Sequence, residues 1–142
     1  MPSNEEAEFP ARLTALPDTA SFARGFCERN GVGRDTALRL TFVIEELFTN
    51  TVRHGFGEES DWPVRIELAM SEGGVSVIYE DSAPRYDPTD RWAVAPPDLA
   101  AGAEERPTGG LGVYLVRQIV ADARYAYEDG RNRLWLVMPP ES

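Results

Sequence analysis

The chain has 142 residues, 42% hydrophobic and 27% charged, with 24 acidic against 14 basic residues and a formal net charge of −10. These proportions describe one soluble globular domain, and the acidic balance argues against direct binding of nucleic acid. The Lys+Arg set is all arginine. Without a lysine there is neither a Walker-type P-loop nor a kinase β3 lysine, so a nucleotide site has to rest on backbone amides, arginine and a metal ion.

In chain order, residues 1–8 read as a frayed acidic tail, and 9–142 as a single domain. Phe9 to Leu16 is a short edge strand interrupted by Pro10. Pro17-Asp18 opens a helix that runs to about Asn30 and buries Phe22, Phe26 and Cys27, with Gly31 and Gly33 ending it. A second helix runs from about Asp35 to His54, stopped by Gly55 and Gly57. Its apolar stripe is Leu40, Val43, Ile44, Leu47 and Phe48. After the Asp61-Trp62-Pro63 turn, Val64, Ile66 and Leu68 alternate with Arg65 and Glu67 as a half-buried strand. Glu72-Gly73-Gly74 is a hairpin turn, and Val75, Val77 and Tyr79 form the next strand, which ends at Glu80-Asp81. Residues 82–109 hold five prolines and show no period; a loop this long is usually a functional segment such as a lid. A helix from Leu111 to about Ala121 follows. A hairpin closes the chain, with Arg124–Tyr127 and Leu134–Met138 joined by residues 128–132. This order predicts an α+β two-layer sandwich: a mixed, mainly antiparallel sheet with helices on one face.

Two segments carry candidate chemistry. On the second helix Glu46, Asn50 and either Arg53 or His54 fall on one stripe. A carboxylate and a carboxamide one turn apart can polarise a hydroxyl and offer oxygen ligands to a divalent cation; the alternative is a solvated helix face. Far along the chain, Gly109-Gly110-Leu111-Gly112-Val113 runs straight into a helical pattern. Glycine allows close approach to the amides, and a helix N-terminus adds unpaired N–H groups and a positive dipole end. Together they form a phosphate cradle; the alternative is a tight turn. The lone Cys27 reads as a small core residue, and His54, the lone histidine, rules out a multi-histidine metal centre. Trp62, Trp92 and Trp135 read as packing or lid aromatics. With no secretory signal core and no membrane-length apolar run, the expected compartment is the cytoplasm.

Taken in order, Glu46-x-x-x-Asn50-x-x-x-His54-Gly55, the strand-terminal Asp81, Tyr86-Asp87-Pro88, the run Gly109 to Arg117 and the closing Glu128–Asn132 turn resemble the GHKL ATPase superfamily. That superfamily includes gyrase and histidine-kinase ATP-binding domains. Within it, the chain looks most like the small serine-kinase anti-sigma factors of bacteria, over residues 9–138. The resemblance implies the ATP-binding fold of that superfamily, with Asn50 holding Mg²⁺ that bridges the ATP phosphates. Glu46 would be the general base, or would orient the attacking hydroxyl. Asp81 would accept the adenine amino group, with Ala83 and Tyr86 beside it, and Arg53 and His54 would be secondary members of the site. Gly109, Gly110, Leu111, Gly112 and Val113 would cradle the phosphates beneath a lid at about 88–109. It further implies a homodimer that phosphorylates a serine or threonine on a STAS-domain anti-anti-sigma protein and sequesters a sigma factor. One position departs from the family: Ala83 stands where glycine is usual. A positive φ there would strain alanine; a close approach alone would tolerate the methyl. The same fold without catalysis, acting as a nucleotide-binding or protein-sequestering module, is the alternative reading. The ATP-binding half of a histidine kinase fits less well, because the chain has no room for a second, phosphoacceptor domain.

Overall fold

The computed structural model describes residues 4–89 and 110–140, the stretch 110–114 as backbone. The chain runs β1 (Asn4–Pro10), a 3-10 turn (Leu13–Ala15), α1 (Leu16–Arg29), α2 (Arg34–Asn50) and a π-helical turn (Thr51–Gly55). It continues through β2 (Pro63–Ser71), β3 (Gly74–Asp81), α3 (Gly110–Ile119), β4 (Asp122–Glu128) and β5 (Arg131–Met138). Among the described residues the strands form one antiparallel sheet in the order β1-β2-β3-β5-β4, so the expected α+β architecture holds.

Period-2 alternation sends Val64, Ile66, Leu68, Val75, Val77, Leu134, Leu136 and Met138 to the face that meets the helices. There they join Phe26, Leu40, Val43, Ile44 and Phe48, all buried. α1 begins with Pro17 in its first turn, Asp18 beside it and Arg29 in the last turn, an arrangement that suits the helix dipole. Both hairpins have two-residue loops. The second, Asp129-Gly130, has positive φ at both positions, the type I′ geometry that matches strand twist. In the first, Gly74 takes φ +126° against the end of β5, where a Cβ would stand 1.9 Å from the Met138 carbonyl oxygen.

Two expectations need correction. Residues 4–8 are not a tail: Asn4 to Pro10 pairs with Ala69 to Pro63 along its whole length. The acidic composition hid an alternation in which Ala7 and Phe9 turn inward. The second helix also does not continue regularly to His54. It gives way after Asn50 to a wider turn closed by the Phe56 N–H on the Thr51 carbonyl at 2.8 Å. Turns of this kind recur at functional sites.

On the sheet face turned away from the helices, Glu80 is buried at 3% exposure between Arg65 and Arg133, both at 2.6 Å. Arg65 also pairs with Glu6. Burial pushes the Glu80 carboxyl up, but the bonds from Arg133 and Arg65 outweigh it and the net shift is downward. A lowered folded-state value contributes stability above the ordinary carboxylate range, and that contribution is lost as pH falls through the lowered value. Glu80→Ala is therefore expected to lose about 2 kcal/mol at neutral pH, below the cost for a fully buried pair because both arginines are partly solvated. Urea titrations should show the gap to wild type narrowing on acidification; a gap independent of pH would discount the ion pairs.

Candidate nucleotide site

The site lies where the C-terminal end of α2 meets the end of β3. Thr51, first residue of the π-helical turn, is buried. Its hydroxyl lies 2.9 Å from Asp81 Oδ2, 3.1 Å from the Leu47 carbonyl oxygen and 2.6 Å from the Tyr79 hydroxyl. This hydrogen-bonded junction joins helix to sheet. Asp81, 7% exposed, also accepts the Ala83 N–H at 3.1 Å and the Asn132 side-chain amide at 2.9 Å, both on Oδ1. Tyr79 is held protonated: burial pushes its hydroxyl well up, and the charge on Asp81 adds to this.

Asn50 is 6% exposed, and its carboxamide makes no hydrogen bond to another described residue. The carboxamide is not among the described buried side-chain atoms left without a partner; it opens onto a cavity instead. Asn50, Thr51, Asp81, Tyr86, Tyr125 and Asn132 line a common cavity of about 20 Å³, room for about one water. Glu46, one turn earlier on α2, is half-buried. Burial pushes its carboxyl up, Glu45 pushes the same way, and Arg53 opposes them. Arg53 and His54 are exposed on the π-helical turn, with Arg53 near enough to Glu46 to act on its carboxyl.

Ala83 is buried, and its φ is not positive. Its methyl faces Gly55, where an added Cβ would come within 3.2 Å. The backbone strain considered for alanine is therefore absent, and the bare Cα of Gly55 makes the room. Gly110 to Val113 form the first residues of α3, so the glycine pair sits in the helix start rather than ahead of it. α3 packs on α2 and buries Val116. Gly109 and nearly all of the expected lid, residues 90–109, lie outside the described residues, as does Trp92. Just before them, the Asp87 carboxylate accepts the Thr89 N–H at 2.8 Å, a turn of the kind that opens helices.

Cys27 is a core residue, 2% exposed, its thiol pushed up mainly by burial. Trp62 is not a packing residue: it is 62% exposed. Trp135 lies on the far sheet face between Arg124 and Arg133. The sequence reading passed over Thr51, Tyr79, Tyr125 and Asn132. The signal for Asn132 was present, since it shares the inward phase of Leu134, Leu136 and Met138.

A metal could take the Asn50 oxygen as a ligand. Among the described residues no cluster of three or more His, Cys, Asp or Glu could hold a cation, so the remaining ligands would be phosphate and water oxygens. That donor set suits Mg²⁺, which keeps much of its water. No helix of the described residues is long and apolar enough to cross a membrane.

The profile of the histidine kinase-like ATPase domain matches residues 9–138. Among curated proteins, a serine-protein kinase RsbW of Listeria monocytogenes serovar 1/2a is 28% identical over 124 residues, covering 84% of this chain and 79% of the relative. A serine-protein kinase RsbW of Bacillus cereus is 25% identical over 130 residues, covering 91% and 81%.

Proposed function

We propose, because the chain belongs to the histidine kinase-like ATPase family, that it is an ATP-dependent protein-serine/threonine kinase and anti-sigma factor. Membership implies ATP binding, and the distant homology to serine-protein kinases supports phosphotransfer to a protein hydroxyl. The proposed phosphoacceptor is a STAS-domain anti-anti-sigma protein. A sigma factor would be the sequestered partner, and a cytoplasmic homodimer the working unit.

The observation that carries this reading is the Thr51–Asp81 junction. It brings an unengaged carboxamide on the helix and a fixed carboxylate on the sheet into one cavity. Asp81 would accept the adenine amino group, with Ala83 and Tyr86 bordering it. Asn50 would hold Mg²⁺, and the run Gly109 to Val113, of which Gly110 to Val113 begin α3, would present backbone amides to the phosphates. Bound Mg²⁺ would supply charge neutralisation for the transferring phosphoryl group. Glu46, with its raised carboxyl, would take or orient the proton of the attacking hydroxyl, and Arg53 and His54 would border the site from the π-helical turn. Phosphoryl transfer depends chiefly on positioning and charge, so an absent lysine is no obstacle.

The test is calorimetric titration of wild type and Asn50→Ala with ATP, with and without Mg²⁺. Mg²⁺-dependent binding by wild type, weakened about 100-fold (~2.7 kcal/mol) in the variant, is the expected result. Absence of binding by folded wild type, or equal binding by both proteins, would defeat the reading.

A further inference from the structure

We infer that Asn132 is a positioning residue for base recognition, setting which acceptor Asp81 presents to a purine. The inference rests on the nucleotide reading above and goes beyond it by assigning the source of base selectivity. Asn132 stands directly opposite Asp81 in the β3–β5 register and is 6% exposed. Its amide nitrogen lies 2.9 Å from Asp81 Oδ1, 3.0 Å from the Ala83 carbonyl oxygen and 3.2 Å from that of Pro84. Its amide oxygen accepts the Tyr86 N–H at 2.8 Å and the Tyr125 hydroxyl. One side chain thus ties the carboxylate, the segment after it and a tyrosine of β4 together. With these partners the amide has a single sensible orientation, nitrogen toward Asp81.

The consequence for Asp81 follows from its lone pairs. A carboxylate offers about four acceptor positions. Asn132 and the Ala83 N–H fill those on Oδ1, and Thr51 takes one on Oδ2. What remains is an acceptor on Oδ2 of a carboxylate that cannot rotate. Such a group rewards a purine bearing an amino donor and opposes one bearing a carbonyl there, because acceptor would face acceptor. Without the Asn132 donor, Oδ1 needs a replacement partner. A water admitted there could turn a hydrogen toward a carbonyl, and the selectivity would fall.

The test titrates ATP and GTP into wild type, Asn132→Ala and Asn132→Asp, with thermal melting to verify folding. The aspartate variant keeps the side-chain shape, loses the donor and sets a second carboxylate against Asp81. Wild type is expected to favour ATP, and both variants to lose about tenfold or more of that preference. A role confined to packing would lower the melting temperature, or weaken both nucleotides equally, without moving the ATP-to-GTP ratio. If the alanine variant fails to fold, the shape-preserving aspartate variant decides. A wild-type ratio retained by a folded variant overturns the inference while the nucleotide reading stands. Wild type that binds neither nucleotide removes both.

Discussion

Glu46→Gln is expected to reduce phosphotransfer about 10²–10⁴-fold while leaving ATP affinity near wild type and melting at pH 7 to 8 no lower. The residue sits half-buried on α2 one turn before Asn50, its carboxyl pushed up first by burial and then by Glu45. A raised value makes the ionised group a stronger proton acceptor, which is the property a general base needs. It also means the folded state holds the proton more tightly than the unfolded chain, so ionisation erodes stability as pH rises between the two values. Glutamine keeps the shape and removes that cost. Activity of wild type should correspondingly fall on the acid side, as pH drops through the raised value. The assay is phosphoryl transfer from labelled ATP to a STAS-domain serine, run beside calorimetry and thermal melts. A glutamine variant that keeps most of its transfer activity would remove Glu46 from the chemistry and favour a sequestering module.

Asp81→Asn carries the second large effect, of a different kind. The carboxylate accepts from Thr51, Ala83 and Asn132. An asparagine in its place brings its own two donors into that donor-lined setting, so at least one buried group loses its partner. A stability loss of about 1–3 kcal/mol is expected from the unpaired group, together with ATP binding weakened about 100-fold or more, since the carboxylate proposed to accept the adenine amino group is lost. Urea titration and calorimetry separate the two effects. An unchanged ATP affinity in the destabilised variant would confine Asp81 to a structural role.

The sheet and its two hairpins were legible because apolar alternation and turn residues agree along β2, β3 and β5. Val64-Arg65-Ile66-Glu67-Leu68 leaves little choice of phase, and Gly74 and Gly130 mark the turns. β1 escaped because three of its seven residues are glutamates, and composition outweighed the inward phase of Ala7 and Phe9. Of the residues proposed for the site, Glu46, Asn50 and Asp81 stand out in the sequence by spacing and position at element ends. Arg53 and His54 were extrapolated along a regular α-helix, which the π-helical turn interrupts. Thr51 and Asn132 were missed because their roles arise from a tertiary meeting of α2, β3 and β5. Thr51 adjoins Asn50 and Asn132 closes the last hairpin turn, but only the register that sets Asn132 across from Asp81 reveals the partnership.

β1 also has a bearing on self-association. It is the border of the sheet, and no further strand pairs with its outer side among the described residues. An exposed border is a template for adding a strand from another molecule. Glu8 places a charge along it, Glu5 and Glu6 are held in ion pairs with Arg29 and Arg65, and Pro10 lacks the N–H that a recruited strand would seek. Cutting the chain at residue 9 would strip these guards and hand the border to β2, whose Val64, Ile66 and Leu68 invite fibril-like stacking. The first strand thus also shields the strands behind it from outside pairing.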